Sequence, residues 1–111
     1  MRSSRVGPYQ LRCATPARET LDLLDGSPQY AAKLRKVRQA LGLLQINPCH
    51  PGLHSHQYEN FPGAPKAKVW DSYVENRTPG AWRLWWMYGL DEIHDDQTVA
   101  VITVLDIGPH P

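Results

Sequence analysis

Arg83 lies inside the segment Ala81 to Met87, AWRLWWM, where a guanidinium stands among bulky apolar residues. Such a side chain offers a rigid fork of donors that fits a phosphate or a carboxylate. Histidines gather ahead of it at His50, His54 and His56, and another, His110, stands near the end of the chain. Imidazole gives and takes protons near neutral pH, so histidines beside a fixed cation are the ingredients of acid-base work on a phosphodiester. Tyr73 and Glu75, in KVWDSYVEN, add a phenol and a carboxylate. Cys49 with His50, His54 and His56 spells C-H-x3-H-x-H, a pattern with zinc-ligand residue types. Adjacent Cys and His make a poor chelate and no second cysteine pair supports them, so these are read as loop and strand-surface histidines, with no metal or other cofactor.

Positioning such groups requires a folded scaffold, and 111 residues suit one domain that buries roughly two-thirds of its unfolded surface. A hydrophobic content of 41% with 21% charged residues is ordinary for a soluble globular protein. No apolar run approaches the ~20 residues needed to span a bilayer. The N-terminal MRSSRVGPYQLRCATPARE has basic residues without the apolar stretch of a secretory signal, so the expected location is the cytoplasm. Cys13 and Cys49 are then expected as reduced thiols. A net charge of +1 excludes a dominant basic surface, so any nucleic-acid contact must rest on local charge.

Residues 1 to 8 read as a loose leader, and Tyr9 to Ala14 as a short strand. Thr15-Pro16 offers a cap and a first-turn proline for a helix over Pro16 to Leu24, which Asp25-Gly26 ends. Ser27-Pro28 repeats the device for a longer helix to about Leu44. Tyr30, Leu34, Val37, Leu41 and Leu44 form its apolar stripe, while Lys33, Arg35, Lys36 and Arg38 make a basic face, either solvated or in contact with phosphate or an acidic partner. Beyond Asn47-Pro48 and Pro51-Gly52 the pattern turns to strands, near Leu53 to Glu59, Lys68 to Asn76, Ala81 to Tyr88 and Thr98 to Ile107. Turns fall at Pro62-Gly63, Thr78 to Gly80 and Gly89 to Gln97, and such short links imply antiparallel neighbours. The last strand, VAVITVLDI, is apolar enough to lie inside the sheet.

Alternation places Trp82, Leu84 and Trp86 on one strand face and Arg83, Trp85 and Met87 on the other. Burying an unpaired guanidinium is costly, so the Arg83 face is expected to look outward, together with Asp71, Tyr73 and Glu75. His54, His56 and Tyr58 are assigned to that face too, and Glu75 is a possible ion-pair partner for Arg83.

The helical hairpin, INPCHPGLHSHQYE, KVWDSYVENRTPGAWRLWW and VITVLDIGPHP follow one another in an order that resembles the RelE/ParE-type toxins of bacterial type II toxin-antitoxin systems. The likeness runs from about Leu11 to His110. An aromatic-Arg-aliphatic-aromatic strand after a glycine-containing turn, then an apolar strand closing on Ile-Gly-x-His, carries it. The resemblance implies an α+β domain in which an N-terminal helical hairpin packs on a twisted, mainly antiparallel four- to five-stranded sheet. It implies, in the RelE-like branch, a ribosome-dependent endoribonuclease that cleaves mRNA and inhibits translation. The partners implied are a cognate antitoxin, the ribosome and mRNA, with no membrane and with DNA met only indirectly through the antitoxin complex. The alternatives are a ParE-like poison of DNA gyrase, or a catalytically silent relative that acts as an antitoxin-binding co-repressor. Carried over residue by residue, Arg83 is the phosphate ligand and His110 the acid, with Glu75, Tyr73, His54 and His56 as the remaining catalytic candidates. Glu75 or His54 is the candidate base, Trp85 or Tyr73 the candidate platform for a splayed base, and Lys68 and Arg77 join Trp85 as RNA contacts.

Overall fold

The computed structural model describes residues 8–64 and 66–110, so the expected leader lies, apart from Pro8, outside the described residues. Strand β1 (Gln10–Cys13) runs straight into helix α1 (Thr15–Asp25). Ala14, rather than Thr15, is the N-cap, and no side chain caps the helix. The reason is that the Ala14 amide still pairs with Val104 O at 2.9 Å, so no separate cap residue fits between strand and helix. Ser27-Pro28 opens a 3-10 turn over Pro28–Tyr30, and α2 (Ala31–Ile46) follows. The helical hairpin therefore follows the first strand instead of opening the fold.

The α+β architecture is completed by a mixed five-stranded sheet in the order β1-β7-β4-β3-β2, with β2 at His56–Tyr58, β3 at Val69–Tyr73, β4 at Trp82–Tyr88 and β7 at Val101–Pro109. Short links make the β2–β3 and β3–β4 pairs antiparallel, and β4–β7 is antiparallel as well. The exception is β1, which pairs parallel with β7, since no hairpin constrains two strands from opposite ends of the chain. The link between β4 and β7 is not a plain turn. It carries a two-stranded ribbon, β5 (Glu92–His94) and β6 (Gln97–Val99), that reverses through Asp95 and Asp96 at φ 50° and 64°. Arg12 of β1 grips this ribbon, donating from Nε and Nη2 to the two oxygens of Glu92 at 2.9 and 2.6 Å.

Both helices cover one sheet face. Ala17 and Leu24 of α1 and Leu34, Val37, Ala40 and Leu44 of α2 pack with Leu84 and Trp86 of β4 and with Ile102, Val104 and Ile107 of β7. Each fully buried leucine contributes roughly 1.5–3 kcal/mol of transfer free energy. The step from Val104 to Ile107 breaks strict alternation because Leu105 is an extra residue in β7: Trp85 faces Asp106 while Trp86 faces Val104. The strand expected from Leu53 is shortened to its last residues. Pro51 has no N–H to donate, the His50 Nδ1 accepts from Gly52 N at 2.9 Å, and the resulting 3-10 turn buries Leu53.

The basic face of α2 is partly spent inside the molecule. Lys33 Nζ donates to both oxygens of Glu75 at 2.8 Å and lies 4.7 Å from the centre of the Trp82 ring, while Lys36 reaches Glu75 at 3.4 Å. Glu75 also accepts from the Trp82 amide at 3.1 Å, so it ties the β3–β4 turn to α2. Burial pushes the Glu75 carboxyl up, but the Lys33 hydrogen bond, the Trp82 amide, the Lys33 charge and Lys36 together hold it below its ordinary value. A lowered folded-state value means the stabilisation is full above the unfolded value and is lost as pH falls through the folded one. Glu75→Gln is expected to cost about 1–2 kcal/mol at pH 7 in urea unfolding. That cost should shrink as the pH falls below ~4, and an acid-independent cost would contradict the pairing.

Candidate functional site

The opposite sheet face is organised around Asp71. Register sets it between His56 of β2 and Trp85 of β4, with Tyr73 opposite Arg83 and Arg83 opposite Gly108 of β7. Asp71 is 0% exposed. Arg83 Nη1 donates to its Oδ1 at 3.3 Å, and the Arg83 side chain, itself 14% exposed, lies with its guanidinium carbon 3.9 Å from the centre of the Tyr73 ring. Asp71 Oδ2 is approached by His56 Nε2 at 3.7 Å and His110 Nε2 at 4.0 Å. Neither contact is a hydrogen bond, and Asp71 Oδ2 and Arg83 Nε have no hydrogen-bond partner among the described residues. A buried acceptor and a buried donor in this cluster thus lack a protein partner among the described residues, which normally costs stability.

The imidazoles are held by the local chain. His54 takes left-handed backbone at φ 48° after the 3-10 turn, and its ring lies 4.8 Å from that of Tyr73. His56 Nδ1 sits 3.0 Å from His54 O. A carbonyl only accepts, so this contact places a proton on Nδ1 and turns Nε2 toward Asp71. The loop is pinned from beneath: Ser55 Oγ donates to Pro48 O at 2.9 Å and meets Ser72 Oγ at 2.7 Å, and Trp86 Nε1 donates to Ser72 Oγ at 2.8 Å. At the other end, Gly80 turns the chain at φ 67°, and Ala81 O accepts from His110 N at 2.9 Å, fixing the histidine at the end of β7.

Arg83, Tyr73, His54, His56 and His110 are therefore brought together, and Glu75 is not. Its carboxylate turns toward α2, so the expected Glu75–Arg83 pair is replaced by Asp71–Arg83. The outer face is also less open than alternation suggests. Val69, Trp85 and Val101 are buried there as a second apolar layer, and Trp85, 5% exposed, is covered by Tyr58 and Phe61 with ring centroids 6.1 and 6.5 Å away. Trp85 is thus a wall rather than an open platform, and Tyr73 already carries Arg83 and His54. Lys68 and Arg77 are exposed, the first just before β3 and the second on the turn after it at φ 64°. Asp71 is the residue that sequence reasoning placed on the right face but did not select. The usable signal was its spacing, two residues before Tyr73 on the strand beside Arg83.

Among the described residues no group of three or more His, Cys, Asp or Glu is arranged to hold a metal ion. Cys13 and Cys49 are free thiols, and burial pushes the Cys13 thiol up. No helix among the described residues is long and apolar enough to cross a membrane. No family model, curated protein or solved structure matches the chain.

What the arrangement offers chemically is a mostly buried guanidinium and two imidazole nitrogens close to one carboxylate oxygen. A Cβ built at Gly108, across from Arg83, meets no atom within 4 Å, so the strand is open there. Asp71→Ala is expected to cost about 3 kcal/mol or more in urea unfolding, because it strands the Arg83 charge in a dry setting. The double substitution Asp71→Leu with Arg83→Leu should recover most of that loss. A cost below ~1 kcal/mol for Asp71→Ala would mean the pair behaves as a surface ion pair.

Proposed function

We propose that this protein is a metal-independent endoribonuclease of the RelE-like kind, the toxin of a toxin-antitoxin pair, cutting mRNA on the ribosome. The observation that carries the proposal is the convergence of Arg83, His56 and His110 on the buried Asp71. Cleavage by the ribose 2′-hydroxyl needs a base for the 2′-proton, an acid for the departing 5′-oxygen and a cation for the phosphoryl oxygens, and these three side chains supply all of them. His56 Nε2 takes the 2′-proton as the O2′–P bond forms. His110 gives a proton to O5′ as the P–O5′ bond breaks, leaving a 2′,3′-cyclic phosphate and a free 5′-hydroxyl. Arg83, oriented by Asp71 and Tyr73, exchanges part of its contact with Asp71 for the phosphate, which removes the unsatisfied donor.

Asp71 acts as a positioning residue in this scheme. It holds the guanidinium in plane and sets the spacing of the two imidazoles. Lys68 and Arg77, exposed before and after β3, are the candidate contacts for backbone phosphates further along the RNA.

The test is expression of wild type and Arg83→Ala in bacteria with mapping of transcript 5′ ends. Wild type should arrest growth and produce new 5′-hydroxyl ends within coding regions. Arg83→Ala should lower the yield of those ends by a factor of roughly 100 or more, the usual loss when a transition-state charge ligand is removed. Intact transcripts during growth arrest, accompanied by a DNA damage response and linearised plasmid, would instead identify a gyrase poison. Equal cutting by both proteins would remove Arg83 from the mechanism.

A further inference from the structure

Beside the Asp71 cluster, on the same sheet face, runs a cleft of about 470 Å3, and Tyr58, Phe61, Trp85, Pro16 and Pro109 supply much of its apolar wall. That volume falls within the ~300–1,000 Å3 of small-ligand sites. Asp106 is the acidic residue lining it, and it stands directly across from Trp85 in the β4–β7 register. The extra residue Leu105 makes this possible. Without the bulge, the side-chain order along β7 would shift by one from this point, and a different residue would face Trp85. The cleft also adjoins the phosphate ligand: Trp85 follows Arg83 by two residues on one strand face, about 7 Å along β4. That is the span between a phosphate and a neighbouring base.

We infer that this cleft is a nucleobase subsite selective for guanine, with Asp106 as the specificity residue; the inference rests on the ribonuclease reading above. The aromatic and proline walls exclude water from a flat ring, and the carboxylate chooses the edge. A carboxylate accepts and never donates. Guanine presents two adjacent donors, N1–H and the 2-amino group, at a spacing that a carboxylate meets with two parallel hydrogen bonds. Adenine and cytosine present one amino group next to an acceptor ring nitrogen, and uracil flanks its single N–H with two carbonyls, so each sets a lone pair against the carboxylate. Asp106 Oδ1 already accepts from Ile107 N at 2.8 Å, which fixes the orientation of the side chain and leaves lone pairs on both oxygens. The Trp85 Nε1 is a buried donor without a partner among the described residues.

The experiment is titration of the whole protein with guanosine, adenosine, cytidine and uridine 3′-monophosphates, followed by tryptophan fluorescence and calorimetry. Guanosine 3′-monophosphate should bind roughly 10- to 100-fold more tightly than the other three, the discrimination typical of a bidentate pair. Asp106→Asn, which keeps the oxygen that accepts from Ile107 N and replaces the other acceptor with a donor, should erase that preference with little change in unfolding midpoint. Equal affinity for the four nucleotides, absence of binding by any of them, or a guanine preference that survives Asp106→Asn overturns the inference. Arg83→Ala separates this result from the parent reading. If it weakens all four nucleotides alike while none is preferred, the phosphate site stands and the guanine subsite falls. If guanine is preferred but Arg83→Ala changes nothing, the subsite stands and the phosphate assignment falls.

Discussion

Removing the Asp71 carboxylate from water costs several kcal/mol unless its charge is met, and the way it is met governs how the outer sheet face is built. Arg83 meets it from the neighbouring strand at 3.3 Å, and this lets a guanidinium be mostly buried as well. Tyr73 then supports the guanidinium through its ring face, and His54 packs on the same ring. The arrangement stops short of full satisfaction. One carboxylate oxygen and one guanidinium nitrogen keep no hydrogen bond among the described residues, with two imidazoles set 3.7 and 4.0 Å from that oxygen.

The remaining elements hold this cluster rigid from both sides. Beneath the sheet, the helices and the β4 and β7 side chains form the main core, and the Trp86–Ser72–Ser55–Pro48 chain of hydrogen bonds carries its order outward into the histidine loop. Lys33 and Glu75 fasten the β3–β4 turn to α2, so the two strands that bear Asp71 and Arg83 are clamped at their common end. Above the sheet, Tyr58 and Phe61 pack against Trp85, giving the cluster an apolar flank on one side. Polar groups beside a dry wall interact more strongly than they would in water.

Much of this was legible in the residues themselves. Period-two alternation in AWRLWWM and the 3-4 spacing on the long helix identified the core faces, and the cost of burying a lone guanidinium assigned Arg83 to the opposite face. Three features were not legible, each for a physical reason. Parallel pairing of β1 with β7 depends on contact between the two ends of the chain, which no local pattern encodes. The inward turn of Glu75 depends on where the Lys33 ammonium lies in space, and a sequence ruler that extends β3 to Asn76 puts the carboxylate on the wrong side. The burial of Trp85 depends on Tyr58 and on Phe61, which follows β2, packing against it, and alternation distinguishes two faces without saying whether the second is covered. The α+β class was legible, although the helical hairpin follows the first strand instead of opening the fold, while the carboxylate at the centre of the site came from the geometry alone.

The most direct measurement is a crystal structure of the protein with a short RNA whose 2′-hydroxyl is replaced by hydrogen at one position, which blocks cleavage and leaves the phosphate in place. The scissile phosphate should sit on the Arg83 guanidinium, with His56 Nε2 and His110 Nε2 on opposite sides of it at about 3 Å. An RNA bound elsewhere, with Arg83 still turned onto Asp71 and both imidazoles without contact to the phosphate, would contradict the assignment of this cluster as the cleavage site.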